Sequence, residues 1–212
     1  MSLTYNPDVF TVDSLQAASA IILTPEDSTT EARWRVETPY LADLIGRHLD
    51  IGPQSLVLDY GCGVGRMARE LITRHDCWVV GVDISQSMRA LAHVYVNSER
   101  FFACSPEMLD TLIARGVTFD AGLAIWVLQH CLEPNEDLDR ISRAMRPGGR
   151  LFVFNNRSRA VPTEEHAWVD DGLDLYAMLS DRFVVIDGGA PAVEHTTPSI
   201  AQHTFWAAYR RP

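Results

Sequence analysis

The feature that most constrains how this chain can fold is a series of short strands that are apolar throughout and do not alternate. Leu56-Val57-Leu58, Trp78-Val79-Val80, Phe101-Phe102-Ala103, residues 119–127 and Leu151-Phe152-Val153-Phe154 recur between stretches of helical spacing. A strand without polar alternation is buried on both faces, which calls for a parallel sheet covered by helices on each side. Strand–helix–strand units in series force right-handed crossovers, so the expected fold is α/β, a doubly wound Rossmann-like sheet. The intervening helices are predicted over 66–74, over 86–96 from a Ser85 cap, over 106–115 closed by Gly116, and over 136–145 closed by Pro147-Gly148-Gly149.

The flanks read differently. Residues 14–23 form an apolar, Ala-rich helix ended by Thr24-Pro25. A short polar helix over 30–37 follows, and Thr38-Pro39 starts another, with Thr as its cap and Pro in its first turn. The tail holds a helix near 173–179 and strands over 183–186 and 204–209. These strands have no obvious helix between them, which predicts an antiparallel pair at one edge. The 212 residues, with no repeat or linker, read as one domain, divided into a helical lid or cap over 1–50, a core over 55–155 and a closing segment over 156–212. A formal net charge of −10 and no basic stripe argue against a nucleic-acid partner. The four cysteines have no redox or zinc spacing, and His166, His195 and His203 have no ligand spacing, so no metal is expected. No secretory signal or bilayer-long apolar run is legible, and the expectation is a cytoplasmic protein without membrane attachment.

In such a sheet, ligands bind beyond the carboxyl ends of the strands. Asp59 and the turn Gly61-x-Gly63-x-Gly65 follow the first strand, Asp83 closes the second, Trp126, Gln129 and His130 follow the fourth, and Asn155-Asn156 the fifth. Asp83 lies 24 residues past Asp59, where a carboxylate can accept hydrogen bonds from ribose hydroxyls. Both a nicotinamide dinucleotide and S-adenosyl-L-methionine carry that ribose. Two residues separate them. Arg66 stands where a dinucleotide site wants its third glycine, and Asp59 would repel a pyrophosphate but attract a sulfonium and an ammonium.

The residues 57–66, Val57-Leu58-Asp59-Tyr60-Gly61-Cys62-Gly63-Val64-Gly65-Arg66, resemble the first motif of class I S-adenosylmethionine-dependent methyltransferases. Val80-Gly81-Val82-Asp83-Ile84-Ser85 resembles their acidic second element, residues 119–130 the fourth-strand motif of small-molecule members, and residues 145–154 the approach to the fifth strand. The resemblance implies a seven-stranded sheet with one antiparallel strand, S-adenosyl-L-methionine as cofactor, and a small-molecule acceptor. By that resemblance Asp59, Gly61, Gly63 and Gly65 line the methionine half, Cys62 and Trp126 belong to the cofactor site, Asp83 holds the ribose and Ile84 packs on adenine. Where the family often has an acid after the third strand this chain has Cys104-Ser105-Pro106, leaving groups near Ser105, Glu107 or Met108 to meet the adenine. N-terminal helices of relatives fold over the cofactor, which makes Arg33 a candidate for its carboxylate and Trp34 part of the lid. His130 is the candidate general base. Trp168 and Tyr176 are candidates for the acceptor pocket. The competing expectations are a nicotinamide-dependent oxidoreductase and a non-catalytic cofactor-binding protein.

Overall fold

In the computed structural model, which describes residues 4–25 and 27–212, seven strands make one sheet. They are β1 (Leu56–Tyr60), β2 (Trp78–Val82), β3 (Phe101–Cys104), β4 (Phe119–Ile125), β5 (Met145–Asn156), β6 (Val184–Gly189) and β7 (Thr204–Arg210), in the order β3-β2-β1-β4-β5-β7-β6. Pairing is parallel from β3 through β5; β7 runs antiparallel to both β5 and β6. The seven-stranded, doubly wound sheet with one antiparallel strand near its edge is therefore the one implied by the resemblance. Residues 1–3 and 26, part of the expected lid segment, lie outside the described residues.

The apolar strands are buried on both faces because each face has its own helical layer. After the N-terminal helix α1 (Leu15–Ile22), α2 (Thr30–His48), α3 (Arg66–His75) and α4 (Gln86–Val96) on one side bring Leu41, Ile45, Leu71 and Ala92 onto Val57, Leu123 and Phe152. On the other, α5 (Pro106–Ala114), α6 (Pro134–Ala144) and α7 (Leu175–Ser180) bring Leu109, Leu138, Ile141 and Leu179 onto Leu58 and Val153. Ser85 and Ser105 cap α4 and α5 through the Met88 and Met108 backbone N–H groups, so each helix starts at a strand's carboxyl end, where the site lies. Among the described residues no helix is long and apolar enough to cross a membrane.

Three local expectations need correcting. Residues 30–37 and the stretch after Thr38-Pro39 are a single helix, α2, with Pro39 inside it. Pro39 forfeits one backbone bond, but Leu41, Leu44 and Ile45 beyond it are buried, and Thr38 and Glu37 are held by Arg66, which offsets the loss. The Pro147-Gly148-Gly149 turn is instead an irregular beginning of β5. Met145 pairs with Phe119 and Arg150 with Ala121 across a bulge, and Gly148 and Gly149 exchange backbone bonds with Arg211. The tail strands are connected through a further helix, α8 (Pro198–His203), six residues too short to show periodicity.

Candidate active site

The carboxyl ends of β1, β2 and β4 open into a cavity of about 620 Å³. Its floor begins with the glycine turn. Gly61 and Gly63 have φ of +77° and +54°, and a Cβ on Gly61 would lie 2.3 Å from Val127 while one on Gly63 would lie 2.7 Å from Ile22. Both positions demand glycine, and they leave bare backbone facing the cavity. Gly65, at φ +79°, starts α3 and faces Val96, away from the lining.

Asp59 and Asp83 stand on either side of this turn. Asp83 accepts the Gly63 N–H at 2.8 Å with one oxygen and the Ser85 N–H at 2.9 Å with the other. Each oxygen keeps a lone pair, enough for two hydroxyls. Asp59 is 3% exposed, and its Oδ2 has no hydrogen-bond partner. Burial pushes its pKa up to about 7, Asp83 adds to this, and Arg66 and the Ala68 backbone oppose it. Burial likewise raises the Asp83 pKa against its two backbone bonds.

Behind Asp59 lies a buried ion network that sequence reading did not find. Glu37, 1% exposed, accepts from Arg33 at 2.9 Å, from Arg66 at 3.4 Å and from the Trp126 indole at 3.0 Å. Arg33 also donates to the Thr24 carbonyl, and its guanidinium lies 5.7 Å from the Trp126 ring centroid. Arg66 is further bonded to Thr38. Trp126 itself has φ +58°, a left-handed conformation unusual for a large side chain and a mark of a position constrained by its surroundings. Glu37 lies in a helix of ordinary polar pattern, and only the packing of α2 on α3 reveals it.

At the β4–β5 side the hydrogen-bond directions are fully determined. The Asn156 N–H donates to Gln129 Oε1 at 2.9 Å, so the Gln129 amide nitrogen is the donor to His130 Nε2 at 3.1 Å. The Ala160 carbonyl can only accept, so His130 donates to it from Nδ1 at 2.6 Å. His130 is thus neutral, with its proton on Nδ1, and burial lowers its pKa. Its ring packs on Phe10 and Trp168. Arg159, buried, ties this floor together through the carbonyls of Leu128 and Cys131 and the carboxylate of Asp171.

The cavity brings together Asp59, Gly61, Cys62, Gly63, Asp83, Ile84, Trp126, His130 and Arg33. Ser105, Glu107 and Met108 are not in the lining. Ser105 is used as the α5 cap, Met108 is 46% exposed, and Pro106 faces the cavity in their place. Trp168 lines it, whereas Tyr176 packs instead against Phe205 and Tyr209. Trp34 packs on Tyr95. His203, which has no ligand spacing in the sequence, closes α8 and lines the cavity, and Tyr5 and Phe10 line it as well. These last contacts join residues far apart in the chain and leave no local signal.

The site fits S-adenosyl-L-methionine on its own chemistry: a buried carboxylate with one unpartnered oxygen for a cation, a second carboxylate for a diol, and a glycine cradle between them. Fold, motif order and site together resemble those of class I S-adenosylmethionine-dependent methyltransferases. Residues 58–153 match a family model described as a methyltransferase domain. An O-methyltransferase of Aspergillus sclerotiorum is 28% identical over 132 residues, 60% of this chain and 50% of that protein. A ubiquinone biosynthesis O-methyltransferase of Coxiella burnetii is 28% identical over 99 residues, 45% of this chain and 41% of that protein. The chain thus spans about half the length of the curated relatives it matches. Among solved structures, geranyl diphosphate C-methyltransferase from Streptomyces coelicolor A3(2) superposes with a TM-score of 0.64 at 17% identity, covering 100% of this chain and 90% of that one. The [4+2]-cyclase SpnF does so at 0.63 and 17%, covering 100% and 88%. The second shows that this fold also carries other chemistry, so the activity has to be argued from the site.

Proposed function

We propose that this chain transfers a methyl group from S-adenosyl-L-methionine to a small-molecule acceptor. The observation that carries the reading is Asp59, a buried carboxylate with one oxygen that has no hydrogen-bond partner, lining the cavity that Asp83 also lines. A carboxylate in that place attracts a cationic ligand and repels a diphosphate, which disfavours a nicotinamide dinucleotide. Bound there, S-adenosyl-L-methionine supplies a methyl group already activated by its sulfonium. The chain's residues then have three tasks. Asp59 and Arg33 meet the charged amino-acid end, Asp83 the ribose, and Ile84 with Pro106 the adenine. The residues 4–12, together with Trp168, cover the cavity and exclude water. His130, already neutral with a lone pair on Nε2, takes the proton of an acceptor hydroxyl once the Gln129 amide yields its place. That curated relatives are named O-methyltransferases supports an oxygen acceptor.

Calorimetry with S-adenosylhomocysteine tests the cofactor half. Asp83→Ala is expected to weaken binding by about 1.5–3 kcal/mol for each charged hydrogen bond lost; an unchanged dissociation constant would remove Asp83 from the site. His130→Ala is expected to lower turnover by about a hundredfold or more with cofactor affinity retained, and full activity would return His130 to a structural role.

A further inference from the structure

We infer that the acceptor is a planar aromatic compound bearing a hydroxyl group, and not a phosphorylated one; the inference rests on the methyl-transfer reading above.

The acceptor end is fixed by topology. The cofactor candidates stand at the ends of β1 and β2, so what remains of the lining comes from the segments after β4 and β5, from α8, and from the N-terminal residues. Three rings meet there. Phe10, His130 and Trp168 have centroid separations of 5.7, 5.2 and 6.3 Å and are tilted by 52–57° to one another, forming an aromatic corner. Leu132 and Ile200 add apolar wall. Such a corner offers ring faces and edges to a flat guest.

Charge selects further. The chain has no lysine, and among the described residues the arginines that line the cavity are Arg33 and Arg66. Both are bound to the Glu37 carboxylate, and Arg33 is assigned above to the charged end of the cofactor. His130 is neutral by its hydrogen bonds. His203 is the remaining basic side chain among the described lining residues, and Glu133 and Asp137 add negative charge. One imidazole does not replace the several charge-assisted donors a phosphate ester needs when it leaves water. The hydroxyl follows from His130 Nε2, an acceptor held ready at the edge of the aromatic corner by an amide donor that an incoming O–H can replace.

The test uses the full chain saturated with S-adenosylhomocysteine, titrated calorimetrically with three probes of one skeleton: 2-naphthol, 2-naphthyl phosphate and decahydro-2-naphthol. The expected result is saturable binding of 2-naphthol, about tenfold or more tighter than either of the others. Trp168→Ala and Phe10→Ala should each weaken it about three- to tenfold. Equal binding of the phosphate would overturn the charge argument, and equal binding of the saturated ring system the planar one. If the chain binds S-adenosylhomocysteine but not 2-naphthol, the acceptor class is wrong while the methyl-transfer reading stands. Failure to bind S-adenosylhomocysteine sinks both.

Discussion

A carboxylate sealed beneath a cavity with nothing to pair one of its oxygens carries an energetic cost, and in Asp59 the cost appears as proton affinity. Burial lifts its pKa from an ordinary 3.8 to about 7. Between those values the folded chain holds a proton that the unfolded chain has lost, so this group's contribution to stability falls as pH rises and its penalty is fully present above about 7. Asp59→Asn is therefore expected to raise the melting temperature of the ligand-free protein at pH 8 by roughly 2–4 °C, with no gain at pH 4, while weakening S-adenosylhomocysteine binding. A variant that melts lower at pH 8 would show that Asp59 is internally compensated. A second residue-scale consequence concerns Gln129. Glutamate there has no N–H to offer His130, and its free oxygen can bond only to a protonated Nε2. Gln129→Glu should turn His130 into an imidazolium, its pKa raised by the adjacent carboxylate, seen by nitrogen NMR, whereas Gln129→Met should leave it neutral. A wild-type imidazole protonated on Nε2 alone would contradict the hydrogen-bond directions described above.

At the scale of elements, two glycines with nearly the same backbone angle separate strain from crowding. Gly61 (φ +77°) faces Val127 at 2.3 Å from an added Cβ, whereas Gly148 (φ +78°) has nothing within 4 Å. Alanine at either position meets the left-handed penalty of about 1–2 kcal/mol, and at Gly61 an overpacking cost of about 1–3 kcal/mol is added. Urea denaturation should rank Gly61→Ala clearly below Gly148→Ala, and equal midpoints would mean that Val127 moves aside freely. The same pair shows what the sequence carried. The turn at Gly61 was legible because its glycines sit between an apolar strand and an amphipathic helix. Gly148 reads as a terminator because Pro-Gly-Gly looks the same at a helix end and in a bulged strand; the backbone bonds to Arg211 that decide it are distant in sequence. Pro39 misled likewise, since a first-turn proline and a tolerated interior one differ only in what packs beyond them. The positions of Asp59 and Asp83 could be read from local pattern, whereas Glu37, Phe10 and the role of Gln129 could not, because their partners lie on other elements.

At the scale of the whole molecule, the N-terminal residues stitch the two sides of the cavity together. Thr4 and Asn6 exchange backbone bonds with Glu164 and Pro162, Phe10 enters the aromatic corner, and the Val12 N–H reaches Ser87 on α4. Ligand binding beneath this strap should tighten it. In hydrogen exchange with S-adenosylhomocysteine at saturation, amides within 4–12 and 160–166 are expected to slow more than those of the sheet, and unchanged exchange there would show that the strap is indifferent to the site. The sheet carries a consequence of its own in the placing of β7, which separates β6 from β5. Synthesis delivers β6 first, yet β7, the strand it pairs with, is made later. Until β7 emerges, β6 is a length of Val184-Val185-Ile186 with open hydrogen-bonding edges, and the ribosome holds a sheet that still lacks its penultimate plank.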